Sequence, residues 1–186
     1  MFVYVIVYNK PAGVVFVAFK KIMGARFGGK EIGKPTVLNN SGQVVFPGGF
    51  NDKQSEALDA GLEEFLEETG IKLQQYIDGG KFTVKSFQQG KFHGIYAEID
   101  ADYMQALVEN SNANTHHGET LDDELNQLGF VPIKFACESM WKWDDTLTTP
   151  EATQVLVARG KKKKYDPFDK SWFKAMLDHL VNILKA

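Results

Sequence analysis

Three glutamates, Glu64, Glu67 and Glu68, are spaced three and four residues apart within ALDAGLEEFLEETGI, residues 57–71. On a helix turning about 100° per residue they fall in one arc, and Leu58, Leu62, Phe65 and Leu66 fall on the other side as a predicted core stripe. Glu56 and Glu63 lie beside the acidic arc, and no lysine or arginine interrupts the stretch after Lys53. Like charges at these spacings destabilise a helix by a few tenths of a kcal/mol per pair. Such an arc either faces water, as most charge runs do, or holds a cation. The Pro47-Gly48-Gly49 turn just upstream points to the cation, because its carbonyls can approach closely and carboxylate oxygens suit a hard ion such as Mg²⁺. Gly70 is the residue type that stops a helix in the left-handed conformation, and Asn51 or Asp52 is the predicted N-cap.

At these spacings the segment from Phe46 to Ile71 resembles the signature of the Nudix hydrolases: G, five residues, E, seven residues, then R-E-U-x-E-E-x-G-U, with U a bulky aliphatic. Gly49, Glu64, Glu67, Glu68, Gly70 and Ile71 match, Phe65 fills the bulky position, and Phe46-Pro47-Gly48-Gly49 matches the usual lead into the motif. Two positions depart: Ser55 stands where the family has its first glutamate, and Glu63 where it has arginine. Glu56 could replace that first glutamate only with a one-residue shift of the loop.

The resemblance implies an α/β chain, a Nudix-type α/β/α sandwich with a mixed sheet. It implies Mg²⁺, or Mn²⁺, held by the Gly49 carbonyl with Glu64, Glu67 and Glu68, the last two catalytic. A further glutamate outside the motif often serves the family as general base or completes the metal shell. Glu119 and Glu124 are the candidates, with Glu124 ahead because it precedes Phe130-Val131-Pro132; exposed acids at a helix start are the competing reading. Lys20, Lys21 and Arg26 are the candidates for touching substrate phosphates. The implied activity is hydrolysis of a diphosphate bond in a nucleoside diphosphate linked to another group, a nucleotide-type small molecule. The alternative is a non-catalytic Nudix-fold module binding a nucleotide or a protein partner, for which Ser55 and Glu63 speak.

Composition is that of a globular chain: 186 residues, 44% hydrophobic, 12% aromatic. A net charge of −3 gives no general nucleic-acid footprint. The single cysteine, Cys137, permits neither an intrachain disulfide nor a cysteine-rich metal site. No run approaches a membrane span, and FVYVIVY lacks the basic flank and cleavage site of a signal peptide, so no membrane partner is expected and the cytoplasm is the default.

Strands are predicted over Phe2 to Tyr8 and Gly13 to Phe19, antiparallel and covered on both faces. A long glycine-rich loop is predicted over 22–42, with a short strand at Pro35 to Leu38, then strands at Gln43–Phe46, Phe82–Phe87 and Phe92–Ile99. His93, in the last of these, reads as structural. Asp102 to Glu109 is predicted as a short helix, followed by a polar loop holding His116-His117, which are too poorly placed for a zinc site. Leu125 to Phe135 resembles the family's late strand. Trp141 and Trp143 could stack on a base or close a core. The domain is predicted to span 1–160, with a basic linker and an amphipathic helix in 161–186 that packs on the domain or pairs with a second copy.

Overall fold

A computed structural model describes residues 1–21, 23–38, 44–51, 55–88, 90–140 and 171–186. The β-branched, aromatic run at the N-terminus forms β1 (Phe2–Asn9), and the sheet is built around it. β1 pairs in parallel with β8 (Phe92–Glu98) and antiparallel with β2 (Val14–Lys20) and β6 (Gly48–Phe50). The sheet order is β5 (Val44–Val45), β2, β1, β8, β7 (Phe82–Phe87), with β6 on β1 and β9 (Leu125–Pro132) on β2. One parallel ladder among antiparallel ones makes this a mixed sheet, as expected.

Both faces are covered, which is why β1 and β2 read as continuous apolar runs instead of alternating ones. On one face Val5, Val7, Phe16, Ile95 and Ala97 pack with Phe65 of α1 (Ala57–Thr69) and Leu107 of α2 (Ala101–His117). On the other, Ile6, Val15, Phe46 and Tyr96 pack with Ile133 of α3 (Ile133–Phe135), with Ala136 of the π turn that follows it (Ala136–Met140), and with Phe173, Met176, Leu177 and Leu180 of α4 (Ser171–Lys185). The apolar face of α4 is thus spent on its own sheet, and the Tyr96 hydroxyl donates to the Met176 carbonyl at 2.8 Å. No helix among the described residues is long and apolar enough to cross a membrane.

β1 shares one edge between two partners. Phe2 to Tyr4 face β6, and Tyr8 and Asn9 face β2. That divergence leaves room beside Tyr4 and Lys20, where Gly48 and Gly49 of β6 lie against Glu68 and Glu64 of the helix that follows.

Four expectations need correction. The glycine-rich stretch contains a hairpin, β3 (Met23–Phe27) with β4 (Lys30–Val37), turned at Gly28 and Gly29, both at positive φ; glycine here makes the turn, not a loop. α2 runs on through the predicted polar loop to His117. Ser111 and Thr115 return their hydroxyls to the carbonyls of Leu107 and Ser111, while Asn112 clamps the backbone N–H and C=O of Leu128 at 2.8 and 2.7 Å. α1 begins at Ala57 with Glu56 as N-cap and no side-chain cap, so Asn51 does not cap it; Asp52 is outside the described residues. Leu58, Leu62 and Phe65 do pack on the core, joined by the buried Ala60 and Gly61, but Leu66 turns toward an outer groove. Gly70 does end the helix at φ 71°, its N–H on the Leu66 carbonyl. The tryptophans Trp141 and Trp143, the lysine run and the boundary at 160 lie outside the described residues.

Candidate active site

The divergence of β1 bounds a cavity of about 540 Å³ between β1, β6, α1, the β3–β4 turn and the segment before β9. Among the described residues five carboxylates line it: Glu64, Glu67, Glu68, Asp122 and Glu124. One lysine, Lys20, and the aromatics Phe2, Tyr4, Phe27 and Phe50 complete its walls, with Gly48 and Gly49 at one side.

Each position follows from local structure. Glu64, Glu67 and Glu68 share one arc of α1, but the helix is rotated so that Glu68 faces inward and is only 2% exposed. The sequence places all three on the side of α1 away from the predicted core stripe, yet the structure buries Glu68. The Glu68 carboxylate accepts the Gly48 N–H at 2.6 Å. Gly49 lies close to Glu64: a Cβ there would stand 2.9 Å from Glu64 Oε2 and push that carboxylate aside. Lys20, at the end of β2, forms an ion pair with Glu124, and the adjacent Lys21 N–H donates to the Glu124 carbonyl at 2.7 Å.

Of the residues singled out in the sequence, Gly49, Glu64, Glu67, Glu68, Glu124 and Lys20 meet at the cavity. Lys21, Arg26 and Glu119 are not in its lining. Lys21 pairs with Asp123 at 2.5 Å, Arg26 donates to the Gly118 carbonyl at 2.8 Å, and Glu119 is exposed beyond the end of α2. Asp122, from the same acidic cluster as Glu119 and Glu124, joins the site as well. Residues 122 and 124 line the cavity, and Asp123 between them pairs with Lys21. Asp122 accepts the Gly28 N–H, and its own N–H donates to the Glu67 carbonyl at 2.9 Å, tying the β3–β4 turn to α1.

Five acids facing one lysine are held against their own repulsion. Burial, then the charges of Glu67, Asp122, Glu124 and Glu63, push the Glu64 pKa from 4.5 up to about 7. Burial also pushes Glu68 well above the ordinary carboxylate range, although Lys20 and the Gly48 N–H pull the other way. Burial alone would lower Lys20, but Glu68 and Glu124 more than offset it and hold it charged. Tyr4 is raised by burial and by the same glutamates.

The folded state therefore binds more protons than the unfolded chain between pH 4.5 and about 7, and its stability falls as pH rises through that window. Without metal, the melting temperature is expected to be about 3–6 °C higher at pH 5 than at pH 7.5, after discounting the Glu64 shift for solvent screening. Glu64→Gln should flatten the profile. A flat wild-type profile, read by calorimetry, would contradict this account of the electrostatics.

No family model matches the chain, and no curated protein matches it. Solved structures do. A NUDIX hydrolase from Nitrosomonas europaea is 14% identical, with 88% of this chain and 90% of that chain covered, at a TM-score of 0.39. A mutT/nudix family protein from Listeria innocua is 16% identical, with 86% and 92% covered, also at 0.39. These are Nudix proteins by name. The two departures from the Nudix-like motif can now be placed. The Ser55 hydroxyl is buried with no hydrogen-bond partner among the described residues and lies outside the cavity lining. Glu63 lines the outer groove of α1 with Leu62, Leu66 and Lys72. Among the described residues the cation at the carboxylates is Lys20 of β2.

Lys20→Met should expose that dependence. Removing one partner of a buried ion pair leaves uncompensated charge and is expected to cost about 3 kcal/mol, a drop of roughly 6–12 °C at pH 8. Much of the loss should be recovered at pH 5.5, where the carboxylates take up protons. An unchanged melting temperature at pH 8 would show that Lys20 does not hold the cluster together.

The donor chemistry fits a hard divalent cation: all carboxylate oxygens, in excess of the local positive charge. As they stand, no three acidic, histidine or cysteine side chains among the described residues are grouped closely enough to hold a metal ion.

Proposed function

We propose that this cavity hydrolyses a diphosphate bond in a nucleoside diphosphate linked to another group. The observation that carries the reading is the convergence of Glu64, Glu67, Glu68, Asp122 and Glu124 on one cavity beside the Gly48-Gly49 turn. Glu64, Glu67, Glu68 and the Gly49 carbonyl would hold Mg²⁺ or Mn²⁺, which when bound supplies charge neutralisation at the phosphoryl oxygens and a more acidic water. Glu124 takes the proton of the attacking water as its oxygen bonds to phosphorus and the bridging P–O bond breaks, releasing two phosphate-bearing products. Lys20 pairs with Glu124 and holds it in place. Positioning and charge neutralisation suffice for this transfer, with no covalent nucleophile.

The test is phosphate or nucleotide release from a panel of nucleotide sugars, ADP-ribose and dNTPs, with and without Mg²⁺ or Mn²⁺. Turnover that requires the metal is the expected result. Nucleotide binding without any turnover would favour the second reading, a binding module, which rests on Ser55 and Glu63 replacing the motif glutamate and arginine.

A further inference from the structure

β9 carries one residue more than β2 can pair. The two strands run in step from Val14 opposite Pro132 to Ala18 opposite Leu128, and then the register jumps: Phe19 takes Asn126 and Lys20 takes Leu125. Gln127 is left without a partner across the ladder, which makes it the extra residue of a β-bulge. It stands at φ 46°, one of two non-glycine residues at positive φ among the described residues. Its side chain is exposed, and a left-handed backbone costs glutamine what it does not cost glycine. The bulge is held from both sides. Leu125 and Leu128 are buried in one core although they are three residues apart, where strict alternation would bury Leu128 and Asn126. The extra residue shifts the phase by one, so that a leucine and not an asparagine fills the core. On the other side Asn112 of α2 grips the Leu128 N–H and C=O at 2.8 and 2.7 Å.

The same shift of phase reaches the cavity. Beyond the bulge Lys20 stands opposite Leu125, the Lys21 N–H donates to the Glu124 carbonyl at 2.7 Å, and the Glu124 carboxylate meets Lys20. Had the strands stayed in step past Ala18, Lys20 would face Asn126, and Glu124 would sit one residue, about 3.3 Å, farther along. We propose that the bulge at Gln127 sets the reach of Glu124 into the cavity, which makes Gln127 a positioning residue for the hydrolysis. The proposal rests on Glu124 taking the proton of the attacking water and deepens that reading. A regular strand conformation at residue 127 would relieve the backbone strain and withdraw the carboxylate from Lys20.

The experiment varies the backbone preference of this exposed position, outside the cavity lining, with Gln127→Gly, Gln127→Asn and Gln127→Val. Glycine and asparagine accept the left-handed region, whereas a β-branched residue there is an outlier. Register is read from cross-strand backbone NOEs of the metal-free protein. Turnover is read with Mg²⁺ on the nucleotide sugar, ADP-ribose or dNTP that wild type hydrolyses fastest. Wild type, Gln127→Gly and Gln127→Asn are expected to share the Lys20–Leu125 NOE and to agree in kcat within about twofold. Gln127→Val should exchange that NOE for one between Lys20 and Asn126. Its kcat should fall about tenfold or more with KM within about threefold, as displacement of a proton acceptor predicts. Full kcat in Gln127→Val, a fall in kcat with the Lys20–Leu125 NOE intact, or an equal fall in Gln127→Gly would overturn the proposal. Should Gln127→Val fail to fold, Asn112→Ala, which frees the bulge from the helix side, is read in the same way. The two readings fail separately. A register that follows residue 127 in a protein that turns over nothing removes the enzyme and keeps the bulge as what places Glu124. Full turnover after the register has moved removes that role and keeps the enzyme.

Discussion

Replacing Glu67 or Glu68 with glutamine is expected to lower metal-dependent diphosphate hydrolysis at least about tenfold in either variant, the order seen when support for a bound metal is lost. Glutamine keeps the size of the side chain and removes the charge. In Glu68→Gln the amide oxygen can still accept the Gly48 N–H, so the turn should stay where it is. The same substitution removes a buried carboxylate whose charged form is disfavoured. Metal-free stability at pH 7.5 should therefore hold or rise while activity falls. That opposite movement separates a group kept for chemistry from one kept for structure. Full activity in both variants, measured at saturating Mg²⁺, would remove these residues from the mechanism and the proposed hydrolysis with them.

The largest stability effect is expected at Gly48. Its φ is +137°, and an added Cβ would stand 2.3 Å from the Val3 carbonyl oxygen and 2.7 Å from Tyr4 Cα. Both are backbone atoms of the central strand, so no rotamer change relieves the clash. Backbone strain of about 1–3 kcal/mol adds to a similar cost of overpacking. Gly48→Ala should lose roughly 4 kcal/mol, lowering the melting temperature by about 8–16 °C. Because Gly48 also donates to Glu68, activity should fall further than the folded fraction explains. A variant within 2 °C of wild type by calorimetry, against that expected drop, would show that β6 can move away from β1 at little cost.

The parts of this molecule that were legible in its sequence are those set by local chemistry. β-branched runs became β1 and β2, Gly70 stopped α1, and the three-and-four spacing gathered Glu64, Glu67 and Glu68 on one arc. What escaped depends on partners distant in the chain. The polar half of α2 is helical because Asn112 finds the backbone of Leu128 sixteen residues on. Glu68 is buried because α1 turns it toward Gly48 and Lys20, and amphipathic counting, which sorts charges outward, cannot see a polar interior. Lys20 and Lys21 are neighbours with different fates: strand alternation sends one to Glu124 in the cavity and the other to Asp123 outside it.

The parallel ladder between β1 and β8 also constrains how the chain can be made. Phe2 through Tyr8 take their partners from Phe92 through Glu98, ninety residues later. At about 5–20 residues per second, a ribosome needs roughly 5–20 s to supply them. During that interval FVYVIVY, uncharged and without proline, has the composition of a self-associating segment. The strand at the centre of the finished sheet is therefore the part of the newborn chain in greatest need of a chaperone.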